Sequence, residues 1–122
     1  MLPSTLTTIE VGGFSVGYLL SEVGRAPTDK SRNDRLAILR SLQALHAAGF
    51  CHLDSRIYNL LQVGDVLKWI DLGAWTDASA SLIKTDIVTL LTSLNQRIDK
   101  DLEESIERYA ANPTVALIVA LM

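Results

Sequence analysis

Two stretches of this 122-residue chain decide its fold: His52–Asn59, which reads HLDSRIYN, and Asp71–Gly73, which reads DLG. Together they place Asp54, Asn59 and Asp71 in a fixed order along the chain. A carboxylate at the first position can take the proton of an attacking hydroxyl. An amide and a second carboxylate at the later positions can hold magnesium on nucleotide phosphates. The order of these side chains therefore indicates phosphoryl-transfer chemistry.

The residues between the two stretches predict a β-hairpin. Apolar runs at Asn59–Val63 and Val66–Ile70 flank Gly64-Asp65, and two turn-forming residues between such runs are a strong hairpin signal. The hairpin would bring Asn59, at its entrance, close to Asp71, at its exit. We therefore expect these two side chains to be able to share one cation.

Hydrophobic residues recur at helical spacing along three further segments of the chain. Thr28 or Asp29 is a credible N-cap for the first segment, and Ser79 or Ser81 for the second. Before them, the β-branched and glycine-rich stretch Thr7–Val23 predicts one or two short strands. The three predicted helices are Lys30–Ala48, Ser81–Ile98 and Lys100–Ala111.

Two polar residues fall on the apolar faces of these helices. A buried carboxylate at Asp86 would cost several kcal/mol unless it is paired or hydrogen-bonded, and the backbone N–H groups of the His52–Asn59 loop would be a suitable partner. The alternative is an edge position with the carboxylate of Asp86 in water. His46 is expected to be a hydrogen-bonded packing residue rather than a metal ligand, because no second ligand type stands at helical spacing from it.

Composition limits the partners and the compartment. A net charge of −3 offers no electrostatic case for binding nucleic acid or an anionic membrane. Cys51 is the only cysteine, so we expect a buried core residue and a reducing compartment, intracellular and cytoplasmic. No signal-peptide pattern begins the sequence. Thr114–Met122 is apolar but too short for a bilayer, so we expect it to dock on the core.

With these residues described, the stretch Leu36–Leu94 resembles the C-terminal (large) lobe of the protein-kinase-like superfamily. His52–Asn59 matches the H-x-D-x-[K/R]-x-x-N catalytic loop at full spacing. Asp71–Gly73 looks like the D-F-G metal motif with leucine at its centre. Asp86 stands where the family has a buried aspartate in the following helix, and Gly17–Gly24 looks like the segment that joins the two kinase lobes.

The resemblance implies a mostly helical α+β fold, with kinase C-lobe-like helices and a catalytic-loop β-hairpin. We expect a single domain over residues 1–122, with a strand and hinge-like lead-in at 1–28 and a helical core at 29–122. The implied cofactors are magnesium and ATP, both conditional on an intact nucleotide site. The implied roles are proton acceptance by Asp54, phosphoryl charge neutralisation by Arg56, magnesium binding by Asn59 and Asp71, and anchoring of the loop by His52 and Asp86.

The chain also departs from the kinase pattern. Phe14 stands where a G-x-G-x-x-G phosphate loop needs its middle glycine, and no lysine follows in a strand with a glutamate-bearing helix behind it. Leu53 replaces the arginine that would receive an activation-loop phosphate. Only fourteen residues separate Asp71 from Asp86, a short activation segment as in small-molecule kinases or kinase-like microbial effectors.

Three interpretations follow from these departures. The chain is a large lobe that is active only with a missing small lobe, or a catalytically degenerate pseudokinase or effector module that acts through protein binding. The third is a small helical domain whose loop matches by chance. The second interpretation predicts an exposed apolar surface near Phe14, Tyr18 or Leu19, and with it a protein partner or a homo-oligomer.

Overall fold

The computed structural model describes residues 8–11, 14–17, 25–70 and 76–122. Helices dominate the regular structure in this part of the chain, and the strands are short, which confirms a mostly helical α+β fold. The helices are α1 (Arg32–Ala47), α2 (Ala80–Ser93), α3 (Lys100–Ala111) and α4 (Val115–Val119). The strands are β1 (Thr8–Val11), β2 (Phe14–Gly17), β3 (Phe50–Cys51), β4 (Leu60–Val63), β5 (Val66–Trp69) and β6 (Thr76–Asp77).

The predicted hairpin is formed by β4 and β5. The two strands pair antiparallel, with Leu60 opposite Trp69 and Val63 opposite Val66. Gly64 turns the chain with a φ of 61°, a left-handed conformation that glycine adopts without steric cost. The hairpin belongs to a four-stranded sheet in the order β1-β2-β5-β4, in which β2 runs parallel to β5. In a separate two-stranded sheet β3 pairs with β6.

Helix α1 begins later than predicted, because its N-cap is Ser31 rather than Thr28 or Asp29. The Ser31 hydroxyl accepts the N–H of Asp34 at 3.0 Å, and the Asp34 carboxylate accepts the N–H of Ser31 at 3.3 Å. This reciprocal capping box satisfies two N–H groups that otherwise lack partners at a helix start. The serine and the aspartate three residues later were the sequence signal for it.

Helix α2 begins after Ser79, as predicted, but ends at Ser93 rather than at Ile98. Asn95 adopts a φ of 60° just past the helix. The N–H of Asn95 donates to the carbonyl of Thr92, and the N–H of Gln96 donates to the carbonyl of Leu91. These two bonds form a Schellman motif, which stops a helix where a residue can enter the left-handed region. The prediction of a helix to Ile98 was therefore wrong.

One hydrophobic core forms between the helices and the hairpin. The C-terminal tail contributes to it through Ile118 and Leu121, both buried, which confirms that this segment docks on the core. Among the described residues, no helix is both long and apolar enough to cross a membrane. The largest fully buried side chains are Trp69, Tyr109, Ile38, Leu39, Leu42, Leu45, Leu60, Ile87, Leu90, Leu91, Ile106 and Ile118.

Candidate functional site

The loop His52–Asn59 connects β3 to β4 and contacts α2 at Asp86 and at Ser93. It starts at the two-stranded sheet formed by β3 and β6, and it ends in a 3₁₀ turn, Ile57–Asn59, which leads directly into the hairpin. The N–H of Ile57 donates to the Ser93 hydroxyl at the end of α2, at 2.8 Å. Regular structure therefore fixes both ends of the loop, and helix α2 supports its middle.

Asp86, in α2, binds the backbone of the loop. Its side chain is 0% exposed, and its two carboxylate oxygens accept the N–H groups of His52 at 2.8 Å and Leu53 at 2.9 Å. The Ser55 hydroxyl donates to the main-chain carbonyl of Asp86 at 2.6 Å. A buried carboxylate needs hydrogen-bond donors, and the N–H groups of the loop supply them to Asp86. The alternative of an edge position with the carboxylate in water is wrong.

His46 in α1 connects three helices, because it is hydrogen-bonded to Asp86 in α2 and to Tyr109 in α3. Its Nε2 lies 2.9 Å from Asp86 Oδ2, and its Nδ1 lies 2.8 Å from the Tyr109 hydroxyl. Since a carboxylate can only accept, Nε2 of His46 carries a proton and donates it to Asp86. His46 is thus a hydrogen-bonded core residue, as the sequence predicted. The bond to Tyr109 was not predicted.

His46, Asp86 and Cys51 form the group of potential metal ligands in the described part of the chain, with ligand atoms within 4.8 Å of one another. The His46 and Asp86 atoms are already hydrogen-bonded to protein donors and acceptors. Burial, with a contribution from the Asp86 charge, raises the pKa of the Cys51 thiol to about 11. His46 and Asp86 are bonded to each other, and Asp86 also binds the loop, so these residues form a hydrogen-bonded network that links α1, α2 and the loop.

His52 ties the start of the loop to the end of β5. Its Nε2 donates to the Ile70 carbonyl at 2.8 Å, which leaves Nδ1 to accept the N–H of Asp54 at 3.1 Å. Its ring also packs against Trp69, with 5.2 Å between the ring centres. The imidazole therefore positions the backbone of Asp54 directly.

Leu53 takes an unusual conformation between these two residues. Its φ is 71°, in the left-handed region, which costs a non-glycine residue roughly 1–2 kcal/mol. The bond from its N–H to Asp86 holds it there. Strain of this kind persists where surrounding bonds over-determine the backbone, and it is common at functional sites.

Asp54 lies at the surface of the loop with its side chain 39% exposed. Arg56 donates to both carboxylate oxygens, from Nε at 2.7 Å and from Nη2 at 3.1 Å. The Asn59 amide nitrogen donates to Asp54 Oδ2 at 3.0 Å and to its main-chain carbonyl at 2.8 Å. The hydrogen bond from Arg56, and after it that from Asn59, holds the pKa of Asp54 below its ordinary value.

Of the two expected magnesium ligands, Asn59 lies within the described residues and Asp71 does not. Asn59 pairs with the end of β5, because the N–H of Ile70 donates to its carbonyl at 2.8 Å. It thus lies opposite the residue that immediately precedes Asp71. Asp71 itself, with Leu72 and Gly73, falls outside the described residues. The structure therefore brings Asp54, Arg56 and Asn59 together and leaves the pairing of Asn59 with Asp71 as a prediction.

Comparisons with known proteins identify no relative of this chain. No protein-family model matches the chain, and searches of curated proteins and of solved structures find no match. The resemblance to the kinase-like superfamily stays a prediction, carried by the residues of the loop. The side chains of Phe14, Tyr18 and Leu19, which the effector interpretation would expose, lie outside the described residues.

Proposed function

We propose that this chain is a kinase-like large lobe that transfers a phosphoryl group from Mg-ATP to a hydroxyl once a small lobe is supplied. One observation carries the proposal: the Asp54 carboxylate is held between Arg56 and Asn59 on a loop whose backbone is bound to the buried Asp86. Phosphoryl transfer depends mainly on positioning and on charge neutralisation. A carboxylate, a guanidinium and an amide at fixed places suit those two tasks.

Each residue has a separate task in the proposed reaction. Asp54 would orient the acceptor hydroxyl and take its proton as the hydroxyl oxygen bonds to the γ-phosphorus. The bond from that phosphorus to the bridging oxygen breaks, so the products are a phosphate monoester and ADP. Arg56 would offset the charge of the phosphoryl oxygens. The lowered pKa of Asp54 keeps the carboxylate ionised at neutral pH, which suits orienting the acceptor hydroxyl better than taking its proton.

The donor chemistry of Asn59 and Asp71 fits magnesium, which prefers hard oxygen ligands such as carboxylates and amides. Bound there, the ion would neutralise charge on the nucleotide phosphates. Asn59 lies at the entrance of the hairpin and Asp71 follows its exit strand by two residues. The hairpin register therefore supports the proposal that the two residues act as a pair.

A thermal melt with and without magnesium and ATP tests the proposal. At ten times its dissociation constant, a bound ligand stabilises the folded state by about 1.4 kcal/mol, which corresponds to about 5 °C for a chain of this length. We expect the shift to need both magnesium and ATP, and Asp71→Asn to abolish it. Asp65→Asn is the matched control, because Asp65 is an exposed aspartate in the hairpin turn and should keep the shift.

The outcome shows whether this lobe binds magnesium and nucleotide. If neither the wild type nor the control variant shifts at millimolar Mg-ATP, the lobe does not form the proposed magnesium and nucleotide site, and the proposal is wrong. If Asp65→Asn loses the shift together with Asp71→Asn, the effect is a general loss of negative charge. Only loss in Asp71→Asn alone supports a magnesium site at the hairpin exit.

A second candidate is a kinase-like module that binds a protein partner and performs no chemistry. It is favoured by Tyr58, which is 74% exposed and lies in the lining of two depressions beside the loop. Large exposed aromatic residues are frequent anchors of protein interfaces. This candidate predicts no response to Mg-ATP, together with self-association or partner binding that Tyr58→Ala weakens, measurable by sedimentation velocity.

A further inference from the structure

An open groove lies between the His52–Asn59 loop and helix α2. Its volume is about 370 Å³, within the range of about 300–1,000 Å³ that is usual for small-molecule sites. The groove is lined by Arg56, Tyr58, Val88, Thr89, Thr92 and Ser93.

The lining of this groove suits an uncharged ligand with an apolar body. Val88, the ring of Tyr58 and the methyl groups of the threonines supply apolar surface, and hydroxyl groups supply a few polar contacts. The one charged residue in the lining, Arg56, is a cation that already binds the Asp54 carboxylate, so an ammonium group would lose water there and meet a like charge. The exposed ring of Tyr58 offers a face on which an aromatic ligand can stack.

The position of the groove connects it to the candidate site. Arg56 lines the groove and also binds both carboxylate oxygens of Asp54. Ser93, at the other wall, accepts the N–H of Ile57 and so fixes α2 to the loop. A ligand in the groove would therefore contact Arg56, the residue that binds the Asp54 carboxylate.

We propose that the groove is the acceptor subsite of this lobe and that it takes a small uncharged alcohol with an aromatic body. This inference rests on the proposed phosphotransferase function, and it names the substrate class for the same Asp54 site. The hydroxyl of the alcohol would point to Asp54, while its ring packs between Tyr58 and Val88. Protonated amines and polycations are excluded from the class, because the charged residue in the lining is the cation Arg56 and the Asp54 carboxylate is already paired with it.

The test is a titration of the ¹⁵N-labelled chain with benzyl alcohol, followed by amide chemical shifts and without nucleotide. We expect shifts confined to the groove residues. Thr92→Trp, which fills the groove, should weaken binding by about tenfold or more. The matched control is Thr85→Trp, an exposed threonine of the same helix outside the groove, which should bind as the wild type does. Benzylamine, charged at neutral pH, should bind about tenfold more weakly than benzyl alcohol.

Tyr58→Ala provides a second variant, should Thr92→Trp fail to fold, and it should weaken binding severalfold. The proposal is overturned if shifts spread across the chain, if both tryptophan variants bind alike, or if benzylamine binds as tightly as benzyl alcohol. Failure here is distinguishable from failure of the proposed function. The titration contains no Mg-ATP, whereas the thermal melt contains no acceptor.

Discussion

Replacing Asp86 with alanine should destabilise the fold far more than replacing an exposed aspartate. The carboxylate is fully buried, and it accepts hydrogen bonds from the N–H groups of His52 and Leu53 and from Nε2 of His46. Alanine removes all three bonds at once and leaves three donors buried in place. The loop would then lose the bonds that hold its backbone against α2.

The magnitude follows from these three donors. Each buried donor without an acceptor costs about 1–3 kcal/mol, so the uncompensated sum is roughly 3–9 kcal/mol. A water molecule entering the vacated space would replace part of the bonding. Leu53, no longer held at a φ of 71°, would also recover about 1 kcal/mol by leaving the left-handed region. We therefore expect a net loss of about 3–5 kcal/mol, a large share of the 5–15 kcal/mol typical of a domain.

Denaturant unfolding, followed by tryptophan fluorescence, measures this loss. Asp77→Ala is the matched control, since Asp77 is exposed in β6, and it should stay within about 0.5 kcal/mol of wild type. Native-state hydrogen exchange supplies a local measurement. The amides of His52 and Leu53 should lose protection in Asp86→Ala, because their acceptor is gone.

Two results would refute the reasoning. One is an Asp86→Ala protein as stable as Asp77→Ala, which would mean that the buried donors find other partners at no cost. The other is unchanged protection of the His52 and Leu53 amides despite a loss of global stability. That result would assign the loss to helix packing and leave the loop without the support of Asp86.

Three further predictions concern the same loop and its neighbour Cys51. Leu53→Gly should stabilise the fold by up to about 1 kcal/mol in denaturant unfolding, because glycine adopts a φ of 71° without steric cost. The hydrogen bond from Arg56 lowers the pKa of Asp54 in the folded state. The pairing therefore stabilises the fold at pH values above the ordinary pKa of aspartate, and this stabilisation is lost as the pH falls through the folded-state pKa. Asp54→Asn should therefore lose less stability than wild type between about pH 5 and pH 2. Cys51, buried and with its pKa raised to about 11, should resist iodoacetamide in the native protein at pH 8 and react after unfolding.

Each of these predictions has a control. Leu53→Ala keeps the steric cost, so a glycine variant less stable than the alanine variant would contradict the strain argument. Asp77→Asn should follow the wild-type pH profile; if Asp54→Asn follows it as well, the ion pair with Arg56 adds nothing in solution. If Cys51 in the native protein is alkylated as fast as in urea, the burial of its thiol does not protect it, and this prediction is wrong.

The elements that could be predicted from sequence are those set by local chemistry. Helix α3 was predicted at its observed bounds from a regular apolar stripe that Asn112-Pro113 ends, and the structure adds Asp99 as its N-cap. The hairpin β4–β5 followed from Gly64-Asp65 between two apolar runs. The errors were local too: α1 begins at the capping box of Ser31, and α2 ends at the left-handed Asn95. Both signals were present as residue types, but helical periodicity outweighed them.

The contacts that could not be predicted join residues far apart in the chain. Tyr109 binds His46 across 63 positions, and β2 pairs with β5 in parallel. Periodicity places each residue on an apolar face, but it does not say which faces meet. The burial of Asp86 could be inferred, because its helix face was apolar and a buried carboxylate requires donors. That His46 would be one of those donors depended on the tertiary contact between the end of α1 and the middle of α2.

The hydrogen bonds separate the residues that stabilise the loop from the residues proposed to act in the reaction. His52 and Asp86 are buried and bind backbone atoms, so their loss should appear as a loss of stability. Asp54 and Arg56 are exposed enough for their ion pair to contribute little to folding. A variant such as Asp54→Asn should therefore fold nearly as the wild type does. Because stability and chemistry depend on different residues, a loss of phosphoryl transfer in that variant could be assigned to chemistry alone, which few buried catalytic residues permit.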